Sequence, residues 1–169
     1  SEGAAQAASL VVREVETAVA RMGRRGLRAH ERSGESAWAA SLASSMDARL
    51  RTVASAEQGL TTLALAVALP RMALVASAGD SRVYRLRLPG ILECITADDT
   101  DEEGRLTVWV GPGSLLDHSP LRLRSVPASE EDVWLATSDG VHTAATHDEL
   151  RRFVIHCIST EAYRSAAGF

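Results

Sequence analysis

The chain has 169 residues, 46% of them hydrophobic and 24% charged, with a formal net charge of -4; that suffices for one well-buried core and is short for two, so residues 1–169 are expected to form a single domain. The acidic balance excludes the basic footprint of a nucleic-acid binder, and Cys94 and Cys157 are too few and too isolated for a disulfide framework or a cysteine-rich zinc site. No apolar run reaches the roughly 18 uncharged residues that span a bilayer, so the expectation is a soluble, cytoplasmic protein without nucleic-acid or membrane partners, its oligomeric state left open.

Residues 4–22 place Ala4, Val11, Val15 and Met22 at helical spacing, with Arg13, Glu14 and Glu16 facing away, which predicts an amphipathic helix. The chain opens within this helical sequence at Ser1-Glu2-Gly3 without a Met, and so reads as a processed or incomplete piece. Gly23 to Gly26 stops the helix, and residues 26–35 read as a polar loop, its arginines favoured near a helix C-terminus. Ser36 can cap a second helix in which Trp38, Leu42, Met46, Leu50 and Val53 recur every three or four residues.

Between Leu60 and Leu88 the pattern changes to short apolar, β-branched-rich runs broken at Pro70-Arg71 and at Gly79-Asp80-Ser81, which predicts three consecutive antiparallel strands. Pro89-Gly90 forms a tight turn, and Ile91 to Thr96 returns as a strand. Ala97 to Gly104 packs five acids into eight residues. Like charges repel, so an exposed loop is expected there, and the functional reading is a rim that attracts cations. Leu106 to Val110 and Leu121 to Val126 read as short strands around a Gly111-Pro112-Gly113 loop. Val133 to Thr137 reads as a buried strand ending in Ser138-Asp139-Gly140. Residues 147–158 give a helix with Leu150, Phe153, Val154 and Cys157 on one side, and 160–167 add a turn or fray. Helices, then a block of short antiparallel strands, then a helix argue an α+β fold with helices covering a sheet or sandwich.

Two residues have a chemical rather than a packing look. Asp80 and Asp139 each follow an apolar strand and adjoin a glycine, so their carboxylates can be held rigidly and still reach a hard cation such as Mg2+ or Mn2+. The plain alternative is a turn aspartate that bonds its own backbone two residues on.

The stretch GLTTLALAVALPRMALVASAGDSRVYRLR, followed by ITADDT, resembles the central block of the metal-dependent protein phosphatase 2C family. VWLATSDGVHTAATHDEL resembles that family's later strand, Ser-Asp-Gly turn and acidic helix start, and Glu2 to Ala8 resembles the helix after its Asp-Gly-Met-Gly-Gly segment. The resemblance implies an αββα sandwich of antiparallel sheets flanked by helices, and a serine/threonine phosphatase acting on a phosphoprotein substrate. In that family two metals held by acids activate a water that attacks phosphorus in line. Asp139 matches a core metal-ligating aspartate, and Asp80 an acid of a more weakly held ion; no catalytic side chain is assigned. The family's first acidic strand and its Asp-Gly-Met-Gly-Gly turn would precede Ser1, and its terminal Asp-Asn pair has no match, because the chain contains no Asn. The expectation is therefore a portion of a larger phosphatase or a minimal, inactive relative.

Two rival readings remain. Without a full metal site, the fold would serve as a phosphoprotein-binding or regulatory module. Alternatively, Gly79-Asp80-Ser81 resembles the nucleophile turn of GDS-type ester hydrolases, with Asp139 and His142 at the spacing of their Asp and His. Against the esterase, hairpins replace the parallel sheet and the oxyanion-hole Asn is missing. His142 then reads as a turn histidine beside the acidic site, and His30, His118, His147 and His156 as surface or packing residues.

Overall fold

The computed structural model describes residues 8–9, 11–13, 15–17, 20, 61–69, 71–111 and 122–160. Its strands form where small and β-branched apolar residues run together, and they end at the glycines and prolines that cannot continue a ladder. These are β1 (Leu63–Ala68), β2 (Met72–Ala78), β3 (Arg82–Arg87), β4 (Ile91–Cys94), β5 (Arg122–Pro127) and β6 (Val133–Thr137), followed by helices α1 (Asp139–Ala144) and α2 (His147–Ser159). All strand pairs are antiparallel, in two three-stranded sheets ordered β1-β2-β5 and β4-β3-β6. The chain passes from one sheet to the other at the Gly79-Asp80-Ser81 turn, returns between β4 and β5, and crosses again between β5 and β6.

The two sheets meet through Val75, Val83, Ile95 and Val126, with Ala64, Ala66 and Trp134 packed against them. The other face of β3 presents Tyr84 and Leu86, which with Leu92 meet Leu150 and Val154 of α2. β3 is therefore covered on both faces, and Val83 and Leu86 are fully buried at 0% and 1% exposure. Removing such side chains from water is worth about 1.5–3 kcal/mol each. α2 is anchored by a capping box: the Thr146 hydroxyl accepts from the Glu149 amide, and the Glu149 carboxylate accepts from the Thr146 amide at 2.9 Å. The result is the expected α+β sandwich of antiparallel sheets with helices on its flank.

Several sequence expectations need correction. Leu106 to Val110 is not a strand: Leu106 and Val110 make only isolated bridges, to Thr100 and Thr61. The acidic loop is not uniformly exposed, since Asp99 is buried at 2%. Asp139 does not sit in a turn but opens helix α1. Phe153, expected on the packed side of α2, is 64% exposed. Parts of the first helix are helical as expected, at residues 8–9, 11–13 and 15–17, with Val11 buried. The loop at 26–35, the second helix from Ser36, Gly113, the residues after Thr160, His30 and His118 lie outside the described residues. Among the described residues no helix is long and apolar enough to cross a membrane.

Candidate functional site

The site grows from the turn between β2 and β3. Gly79 adopts φ +93°, a region that L side chains rarely enter. The turn is fixed from outside by Asp99, whose Oδ2 accepts from the Gly79 amide at 3.0 Å while its own amide donates to the Gly79 carbonyl at 2.9 Å. Arg122 Nη2 lies 2.7 Å from Asp99 Oδ1, so the buried charge is paired. One residue beyond Ser81, Arg82 forks onto Asp98, with Nε to Oδ1 at 2.8 Å and Nη2 to Oδ2 at 2.6 Å. The Ser81 and Thr62 hydroxyls, 2.6 Å apart, join the segment entering β1 to the start of β3.

This scaffold decides where the two sequence-predicted acids stand. The β3–β6 ladder begins at the pair Arg82↔Thr137. Asp80 precedes Arg82 by two residues and Asp139 follows Thr137 by two, so both acids leave the same end of neighbouring strands, which run about 4.8 Å apart. His142, on α1, reaches back to the backbone oxygen of Asp80 with Nε2 at 3.0 Å. Asp80 is half-buried and Asp139 exposed, with Oδ1 of Asp139 accepting from the Gly140 amide at 2.8 Å. No third acid joins them: among the described residues, no group of three or more His, Cys, Asp or Glu side chains could hold a metal ion. The donor chemistry suits a single hard cation, which takes one or two carboxylates and keeps several waters. The described residues do not furnish a two-metal centre.

The esterase constellation is not assembled. Ser81 Oγ is engaged with Thr62 and His142 Nε2 with the Asp80 backbone, so the serine and histidine are not partners. A cleft of about 290 Å³ lined by Ala68, Leu69, Ser129, Glu130 and Asp132 lies at the opposite end of the strands and belongs to neither reading.

Sequence reasoning missed the scaffold of Arg82, Asp98, Asp99 and Arg122. The available signal was the arginine immediately after Gly79-Asp80-Ser81, an ion partner for some acid nearby. The hydrogen bonds from Arg82 hold the Asp98 carboxyl below its ordinary range, its charge and that of His142 adding to the effect, while partial burial opposes them. A depressed folded-state pKa contributes stability above the unfolded pKa, about 4 for an aspartate, and loses it as pH falls through the folded value. Asp98→Asn is therefore expected to be less stable than wild type at pH 7. In urea titrations that gap narrows as pH falls below about 4; a gap independent of pH would show that charge is not its source.

No family model matches the chain, and no curated protein matches it in sequence. Solved structures do. PppA, a key regulatory component of T6SS in Pseudomonas aeruginosa, matches 86% of this chain at 25% identity and TM-score 0.57. The Mycobacterium tuberculosis serine/threonine phosphatase PstP/Ppp matches 86% at 20% identity and TM-score 0.57, with 68% of that chain covered. The catalytic domain of PstP with two manganese ions matches 85% of this chain and 66% of its own, at 23% identity and TM-score 0.56. This chain spans 64% of PppA. Its fold is protein phosphatase 2C-like, as in these solved serine/threonine phosphatases.

Proposed function

We propose that the chain is the core of a cytosolic, metal-dependent protein serine/threonine phosphatase, with Asp80 and Asp139 holding a Mg2+ or Mn2+ ion and a phosphoprotein as substrate. The reading is carried by one observation: the β3–β6 register sends both acids out of the same end of a phosphatase-like sandwich. A bound ion would supply Lewis acidity, lowering the pKa of a water and offsetting charge on phosphoryl oxygens. The chain's own residues do the holding. Asp99 and Arg82 fix the turn that carries Asp80, and the N-terminus of α1 carries Asp139. Because Asp80 sits on a turn pinned from both sides, little ordering of that turn remains when a cation arrives. In the assay, Mn2+-dependent hydrolysis of p-nitrophenyl phosphate is expected, falling at least about 100-fold in Asp139→Ala, the upper range for disturbing a metal site. Turnover that persists in Asp139→Ala would refute the assignment of that residue.

A second reading, a phosphatase-like binding or regulatory module without catalysis, is favoured by the lack of a third metal-ligating side chain among the described residues. It predicts no Mn2+-dependent turnover from a folded protein that still binds phosphopeptide.

A further inference from the structure

We infer that His142 is a positioning residue that locks the two acids into one unit, by bonding the helix that bears Asp139 to the turn that bears Asp80. The inference rests on the reading of those acids as cation ligands, and its geometry stands apart from it. A backbone carbonyl can only accept, so the 3.0 Å contact between His142 Nε2 and the Asp80 oxygen fixes the proton on Nε2. The contact bridges residues 62 apart in sequence. Among the described residues it is a tie that the local structure otherwise lacks. α1 is six residues long and has no buried side chain, and its N-cap Ser138 makes no side-chain capping bond. A helix this short does not persist by propensity; half-buried His142 is its polar link to the body of the fold. Asp139 stands three residues before His142, close to one turn of the same helix, so whatever holds the imidazole also fixes the carboxylate relative to Asp80.

Removing the imidazole should free α1 and spread the two carboxylates over many separations, weakening a cation that needs both. His142→Gln keeps an N–H donor at similar reach and should restore the tie, whereas His142→Ala should not. Two readouts are needed, each on the purified protein. In the metal-free protein, amide hydrogen exchange at residues 79–81 and 139–144 should accelerate in His142→Ala and return toward wild type in His142→Gln, with α2 unaffected. Mn2+ affinity by calorimetry should weaken about 10- to 100-fold in His142→Ala, the range for residues that orient ligands, and recover in His142→Gln. Unchanged exchange in His142→Ala, or a Gln variant no better than Ala, overturns the inference. If the wild type binds no Mn2+, the metal reading fails and the exchange data alone decide the role of His142. A loss of Mn2+ affinity with unaltered exchange also overturns it, because the histidine would then act on the ion rather than on the helix.

Discussion

Gly79→Ala is expected to cost about 2–6 kcal/mol, the sum of backbone strain and overpacking of about 1–3 kcal/mol each. Both penalties have a named origin. At φ +93° an alanine is held in a region it avoids. A Cβ there would stand 2.4 Å from Thr62 Cγ2 and 2.9 Å from Thr62 Cβ, distances that real side chains do not tolerate. Thr62 cannot simply swing away, because its hydroxyl is bonded to Ser81. Small domains are stable by only about 5–15 kcal/mol, so the variant is at risk of not folding. Urea unfolding of Gly79→Ala against Gly79→Ala/Thr62→Ser separates the two contributions. Serine keeps the hydroxyl but removes Cγ2, so the double variant should recover part of the loss and retain the strain. A loss below about 1 kcal/mol for Gly79→Ala would mean the turn does not have this shape.

Arg85→Met should be comparably damaging, at about 3–5 kcal/mol, the cost of stranding a buried charge. Arg85 lies on the inner face of β3 with a side chain only 8% exposed. Its guanidinium donates to the Pro127 carbonyl and to Glu93 at 2.7 Å, lies 3.9 Å from Asp132, and sits over the Trp134 ring at 5.8 Å. Loss of the guanidinium strands the two acids unequally. Glu93 is 41% exposed and keeps Arg87 at 2.9 Å, so it can turn to water. Asp132 is 5% exposed and would be left with the Ser129 amide, at 2.9 Å, as a partner. Arg85→Met/Asp132→Asn, which keeps that acceptor and removes the charge, should therefore recover more than half of the loss. Denaturant midpoints that fall equally in the single and double variants would place the cost in packing rather than in charge.

The strands were legible because period-two patterns, β-branched residues and glycine or proline breaks act over a few neighbours, and β1 to β4 and β6 depend on little else. The Gly79-Asp80-Ser81 and Ser138-Asp139-Gly140 breaks marked the ends that the fold brings together. Burial of Asp99 was not legible, because repulsion among adjacent acids is a local rule and its partners, Gly79 and Arg122, lie about twenty residues away on either side. Leu106 to Val110 alternates like a strand but finds one-residue partners only, at Thr100 and Thr61. On α2, a step of about 100° per residue sets Phe153 on the side of Leu150 away from Val154, at the edge of the covered stripe. The apolar pattern alone could not tell edge from centre. His142 looked like a turn residue because a glycine at position 140 argues against a helix there, and nothing nearby in the sequence announces the six residues of α1.

Consecutive strands β5 and β6 enter different sheets: Arg122 joins Ser77 in one, and Thr137 joins Arg82 in the other. The β1–β2 and β3–β4 hairpins can pair early, but neither layer gains its third strand before residue 122 has left the ribosome, and then both are completed within one short segment. Each closure spans roughly fifty residues, the kind of long-range pairing that slows folding and makes it all-or-none. A truncation just before β6 leaves β1-β2-β5 all its strands, yet it should yield a collapsed chain, because it strips β3 of a partner and removes Trp134 from between the layers.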